Sequence, residues 1–311
     1  MSRIAGGERL LGDVEKEVFR NLMWRVTDFS GVRLLTYCVM SNHFHVLVDV
    51  PESSPVSDAE LLRRYSVLYQ NPSEYTTLSP SALKLLLERD DEEAERTRAR
   101  LLARMGDLSE FMKTLKQRFS IWYNKNHDRY GTLWAERFKS VLVEGKGNAL
   151  QTMAAYIDLN PVRAGLVSDP KDYRFCGYAE ASAGRPLAQK GLAMVWADHL
   201  GRGEENPNAA VRAHGELIAG KGGADGDAVS VRTATARAMA DGESFADRAD
   251  ALRCRVRYFT DGVVLGSAVF VAKFSAHLGR GRKRPPTTYA MRGAEWGDLN
   301  VGRRLRGALF G

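Results

Sequence analysis

Two imidazoles one residue apart, His43 and His45, lie in the run Tyr37-Cys38-Val39-Met40-Ser41-Asn42-His43-Phe44-His45-Val46-Leu47-Val48. Side chains alternate between the faces of a β-strand. A strand through this run therefore puts His43, His45, Leu47 and Asp49 on one face. Phe44, Val46, Val48 and Val50 fall on the other, which reads as a core face. Two imidazoles on one side of a sheet, next to a turn, can grip a metal ion together. The plain alternative is a pair of ordinary histidines beside a hairpin. A hard divalent ion usually takes a third protein contact. Asn160 can supply one through its side-chain oxygen, and Tyr156 precedes it by one helical turn.

A phenol facing a metal suits attack on a phosphodiester. The metal polarises a non-bridging oxygen and steadies the leaving 3′ oxygen. The phenolate attacks phosphorus and forms a covalent phosphotyrosine. That link keeps the energy of the broken bond, so a second hydroxyl can rejoin DNA without ATP. Tyrosine's ordinary pKa is about 10, so the nucleophile needs help from its surroundings. Each residue also has a structural reading. Tyr156 fits a core position, Asn160 before Pro161 fits a helix end, and Tyr123, Tyr130 and Tyr173 are rival phenols.

The elements that must position these groups follow from hydrophobic spacing. Val32 to Met40 and Phe44 to Val50, around Ser41-Asn42, predict a β-hairpin with a two-residue turn. Helices are predicted over 12–29, 58–69, 81–105 and 107–127. The charge run from Glu88 to Arg100 reads as a solvated helix face. In the 107–127 helix, Leu108, Phe111, Met112, Leu115, Phe119 and Trp122 form one stripe, and Asp107 with Glu110 reads as the cap. Lys113 and Lys116 lie off the stripe, where they serve either as solvated charges or as phosphate contacts. A strand is predicted over 137–143. The 148–160 helix carries Leu150, Met153, Ala154 and Ile157 toward the core and Thr152, Tyr156 and Asn160 along a more polar line, ending at Pro161.

The chain has 311 residues, enough for two domains, and a net charge of +7, which favours an anionic partner such as nucleic acid. The three cysteines are far apart, so no disulfide framework is expected and a reducing, cytoplasmic setting is. Neither a leader nor a membrane-spanning run is visible. Composition changes after Ala183. Residues 184–230 read as a linker region, Gly-, Asn- and Asp-rich from 201 on, and 231–311 as a mainly helical, basic extension containing Arg282, Lys283 and Arg284. The basic cluster suggests an accessory DNA contact, and 246–278 reads as a helix pair or a helix-turn-helix.

The histidine run closely resembles the His-hydrophobe-His (HUH) motif of single-tyrosine transposases, and most closely the REP-associated tyrosine transposases of the insertion-sequence-200-like group. Three further blocks agree in order. Arg129-Tyr130-Gly131-Thr132-Leu133-Trp134-Ala135-Glu136-Arg137-Phe138-Lys139-Ser140 is similar to the family's Arg-x-Gly-x-Leu-Trp-x-x-Arg-Phe-Lys-Ser block. The segment from Tyr156 through Asn160-Pro161-Val162-Arg163 to Val167 resembles its tyrosine helix and following loop. Pro170 to Tyr178 resembles its closing aromatic segment. The resemblance covers about residues 1–180, within an expected transposase-like domain of residues 1–183.

It implies an α+β fold, with a ferredoxin-like antiparallel sheet and helices packed on it. It implies Mg²⁺ or Mn²⁺ at His43, His45 and Asn160, and Tyr156 as nucleophile. Single-stranded or hairpin DNA is the implied substrate, and a homodimer is compatible with the family. Arg137, Lys139 and Arg163 join Lys113, Lys116 and the 282–284 cluster as expected DNA contacts. The family's first strand would already be under way close to Met1, so the expectation is either a mis-set start or a short edge strand. The helical insertion, about 52–106, is longer than in compact relatives. A non-catalytic hairpin-binding protein with the same fold, or a phosphodiesterase using water as nucleophile, are the alternatives.

Overall fold

The histidine hairpin forms as its sequence directs. In the computed structural model, strand β2 (Arg33–Val39) pairs antiparallel with β3 (His43–Asp49), with Cys38 opposite His45 and Val39 opposite Phe44. The Met40 N–H donates to the His43 carbonyl at 2.8 Å and closes the turn at Ser41-Asn42. The register shifts by one residue between Leu34 and Thr36. A short β1 (Ser2–Arg3) adds to the other edge of β3, giving the order β1-β3-β2. Residues 133–139 then line the outer edge of β1. Ala5 N–H donates to Leu133, Ala135 N–H to Arg3 and Lys139 N–H to Met1, at 3.0, 3.0 and 2.8 Å. The structure describes residues 1–52, 54–70, 78–89, 91–200, 207–219, 248–253, 259, 263–278 and 287–303.

One face of this sheet is covered by α1 (Asp13–Ser30) and α5 (Leu108–Asn126). Phe19 of α1 sits 4.6 Å from the Phe44 ring and 5.0 Å from Phe119 of α5, and Trp134 closes the cluster 5.4 Å from Phe44. Helix α1 stops at Gly31, whose φ of 69° is the left-handed cap that glycine adopts without strain. Asp107 caps α5, its carboxylate accepting the Glu110 N–H at 2.8 Å, as the spacing predicts.

The helical insertion is three helices: α2 (Asp58–Leu68), α3 (Pro80–Leu87) and α4 (Glu92–Leu102). The single helix expected over 81–105 breaks because Asp91 caps a new one, accepting the Ala94 N–H at 2.9 Å. The charge run there is a solvated, ion-paired face, as in Arg96–Glu92. The strand expected over 137–143 is also shorter than predicted. Only Leu142–Val143 forms one, β4, because 133–139 follows the β1 edge instead.

The opposite face of the hairpin is covered too. Helices α6 (Asn148–Asp158), α7 (Asn160–Arg163), α8 (Gly177–Ser182), α9 (Pro186–Leu200) and α10 (Pro207–Ala219) gather there, with α6, α8 and α9 packed directly on β2. Two of these correct the expected linker over 184–230. Helix α9 buries Leu192 and Val195, and α10 buries Ala210, His214 and Ile218. The stripe of α10 is only one residue wide, at i, i+4 and i+8, and is easily lost among Gly and Asn. Helix α9 approaches β2 so closely at Gly191 that a Cβ there would lie 2.5 Å from the Leu35 carbonyl oxygen and 2.6 Å from that of Leu34. Backbone atoms cannot step aside cheaply, so Gly191→Ala should cost about 1–3 kcal/mol. A urea-unfolding midpoint equal to the parent's would refute that packing.

The described part of the extension mixes helix with strand. Alongside α11 (Arg248–Arg253) and α12 (Ala268–Leu278), it contributes β5 (Val264–Gly266), β6 (Thr287–Ala290) and β7 (Asn300–Arg303). With β4 these form a second sheet in the order β4-β5-β7-β6, β4 running parallel to β5. Runs as short as Val263-Val264-Leu265 cannot be told from buried helix by periodicity. The main apolar core draws residues from Ile4 to Leu299, and a second, small cluster of Val263, Val264 and Val271 lies within the extension. No helix among the described residues is long and apolar enough to cross a membrane.

Candidate metal centre and tyrosine helix

Strand β3 carries His43 and His45, their ring centres 5.2 Å apart and nearly perpendicular. The expected division into a core face and a histidine face holds only in part. Phe44 is fully buried, but Leu47 on the histidine side is buried too, while Val46 and Val48 are only half-buried. Helices cover both faces of the hairpin, so alternation does not separate core from solvent here.

Burial favours the neutral form of both imidazoles. Burial, reinforced by the positive charges of Arg3, the chain's amino group and Arg163, pushes the His43 pKa down to about 4. Burial, then the neighbouring His43, pushes His45 well below its ordinary value. Neutral imidazole is the form that ligates a metal. Asn42 orients His43: its Oδ1 lies 2.7 Å from Nδ1, which therefore carries the proton and leaves the Nε2 lone pair available. Asn42 was not singled out from sequence, although it stands inside the motif.

Tyr156 occupies the last full turn of α6, buried to 4% exposure. Helix α6 ends at Asp158 and α7 begins at Asn160, with Pro161 in its first turn, so the break falls two residues before the expected stop. Asn160 closes the break by donating its Nδ2 to the Ile157 carbonyl at 2.9 Å, which leaves Oδ1 as an acceptor. Arg163 lies on α7, not in the loop the sequence suggests. Its guanidinium stacks 3.9 Å from the centre of the Tyr156 ring and donates to the Tyr156 carbonyl at 2.6 Å and to the Leu252 carbonyl at 2.8 Å. The same guanidinium acts on both imidazoles. Phe259 packs on Tyr156 at 4.6 Å.

Helix α6 packs on both strands of the hairpin. His45 of β3, Met153 and Ile157 of α6, Phe138, Lys139 and Phe259 line one cavity of about 470 Å³. Among the described residues, no group of three or more His, Cys, Asp and Glu side chains converges as a metal set. Imidazole nitrogen and amide oxygen are donor types that a divalent ion accepts, and of the four expected site residues His45 lines that cavity whereas His43, Tyr156 and Asn160 do not. Tyr173, a rival nucleophile, is committed elsewhere, its hydroxyl donating to the Val39 carbonyl at 2.8 Å. Tyr123 stacks on His127 at 4.2 Å, and Tyr130 stands 94% exposed on a turn.

The expected DNA contacts divide. Lys116 is no surface group: it is buried, donates to the Glu136 carbonyl at 2.6 Å and to that of Arg137, and lies over the Trp134 ring. Burial lowers its pKa to about 8. Its off-stripe position misleads because residues 133–139 cover that side of α5. Lys113 is exposed and paired with Glu110 at 2.9 Å, and Lys139 pairs with Glu136 at 2.9 Å. Arg137 is exposed. Arg282, Lys283 and Arg284 lie outside the described residues.

Sequence reasoning missed a buried polar group beside Tyr156. Asp158 is fully buried and accepts from the Thr36 hydroxyl at 2.9 Å, the Tyr178 N–H at 3.1 Å and His214 Nε2 at 3.0 Å. A carboxylate in the last turn of a helix opposes the helix dipole, and that was the readable signal. Against models of known protein families, curated proteins and solved structures, the chain finds no match.

Proposed function

We propose that this protein is a divalent-metal-dependent transposase, an HUH endonuclease that cleaves and rejoins single-stranded DNA through Tyr156. The observation that carries the reading is one guanidinium shared by two functions. Arg163 stacks on the Tyr156 ring while its charge helps hold His43 and His45 neutral. The strand arrangement agrees. The sheet order is β1-β3-β2, and in this reading residues 133–139, hydrogen-bonded along the free edge of β1 without forming a regular strand, stand where a ferredoxin-like βαββαβ unit would have its fourth strand.

In this reading His43 and His45, with the Asn160 side-chain oxygen, hold Mg²⁺ or Mn²⁺. Such an ion, when bound, draws charge from a non-bridging phosphoryl oxygen and from the departing 3′ oxygen. Tyr156 Oη bonds to phosphorus as the bond from phosphorus to the 3′ oxygen breaks. Tyrosine gives up its proton and the 3′ oxygen takes one up, so the products are a 5′-phosphotyrosine and a free 3′ hydroxyl. Reversal with another 3′ hydroxyl joins DNA and frees the enzyme. Arg163 fixes the ring and brings positive charge toward the phosphate. Arg137 and Lys139 are proposed to meet the DNA backbone beside the cavity.

The test is incubation with labelled hairpin DNA carrying single-stranded flanks, with and without Mn²⁺, resolved on a denaturing gel. A labelled band at the protein's mass, absent under chelation, is the expected result. Cleavage without an adduct would transfer the reading to a water-dependent phosphodiesterase. The burial of Tyr156 beneath Phe259 favours a second reading, a hairpin-binding protein that does not cut. It predicts binding indifferent to chelation and no adduct.

A further inference from the structure

The Asp158 cluster ties together elements that the chain keeps far apart. Thr36 comes from β2, the Tyr178 N–H from α8 and His214 from α10. His214 is itself fully buried, and Trp196 of α9 donates its indole N–H to His214 Nδ1 at 3.3 Å. That donation places the lone pair on Nδ1 and the proton on Nε2, so His214 donates to Asp158. The carboxylate is thus held by three donors despite sitting at the unfavourable end of α6.

The space around it is equally tight. A Cβ at Gly177 would lie 2.2 Å from the Thr36 hydroxyl, and one at Gly215, next to His214, would lie 2.6 Å from the Tyr178 hydroxyl. Two glycines therefore let α8 and α10 close on the carboxylate. Asp158 stands two residues after Tyr156 and two before Asn160. Thr36 stands on the strand whose Cys38 pairs with His45.

We propose that His214 is a positioning residue for the tyrosine helix. It acts through Asp158 to fix the α6–α7 junction against the histidine hairpin. The inference rests on the reading of Tyr156 as nucleophile. It also assigns α10 a place in the site's construction, since α10 touches neither the phenol nor the imidazoles by any bond described above.

The experiment compares His214→Leu with His214→Gln in the full chain. Leucine fills the space without donating, whereas glutamine can donate to Asp158 and accept from Trp196. Hydrogen exchange of the peptide spanning 148–163 should speed up roughly 10-fold or more in H214L, the range for losing a hydrogen bond to a buried charge. The single-turnover rate of adduct formation should fall by roughly the same factor, with hairpin affinity unchanged. H214Q should return both to within about twofold. Unchanged exchange in H214L, a glutamine variant as slow as the leucine variant, or a rate loss matched by lost affinity would each overturn the proposal. If H214L does not fold, Trp196→Phe, which removes the donor to Nδ1, must speed exchange of the same peptide, and unchanged exchange there overturns the clasp. If the parent protein makes no adduct at all, the assignment of Tyr156 falls, and the exchange data alone decide the clasp.

Discussion

Tyr156→Phe eliminates the covalent protein–DNA band while hairpin binding stays within about threefold of the parent. Losing a nucleophile costs on the order of 10⁴-fold or more in the chemical step. Phenylalanine keeps the ring on which Arg163 stacks and against which Phe259 packs. The fold is therefore expected to survive, with a stability change of about 1 kcal/mol or less for the lost hydroxyl. Because the surroundings persist, the loss of the adduct cannot be blamed on collapse of the helix. Band formation by Y156F at the parental rate would remove this tyrosine from the chemistry and send the search to exposed Tyr130.

Single replacement of His43 or His45 by alanine lowers adduct formation by at least about 100-fold, more than groups that merely orient a ligand typically give. It also removes saturable Mn²⁺ binding measured by titration calorimetry. The two substitutions together should be no worse than either alone, since both disable one ion. Retained Mn²⁺ affinity in both single variants would reject the site. The same pair sets an acid limit on the metal-free protein. His43 titrates at about 4 in the folded chain and at about 6.5 when unfolded. Protons thus favour the unfolded chain, and the stability present above about pH 6.5 declines as pH falls toward 4. Urea midpoints at pH 7 and pH 5 should show the decline, and the alanine variant should show less of it.

The hairpin and the caps were readable because they are local. Ser41-Asn42 between two apolar runs, and Asp107 three residues before Glu110, each specify a short piece of backbone on their own. The histidine pair was readable for the same reason, being two residues on one strand. What escaped notice depends on distant chain. Lys116 has the spacing of a solvated residue on α5, and only the return of residues 133–139 buries it. Asp158 has no meaning until Thr36, Tyr178 and His214 meet it. The short strands β5 to β7 hold too few residues for a period to appear, and their partners include Leu142, far earlier in the chain.

That last pairing bears on how the molecule is made. Leu142 and Val264 can meet only after the long intervening segment has been synthesised and its ends brought together, which makes the second sheet a late event in folding. A chain halted before Val264 still owns every imidazole and phenol discussed above, yet lacks Trp296, whose ring packs 5.9 Å from that of Phe259. Assembly order alone thus separates having the reactive groups from having them shielded.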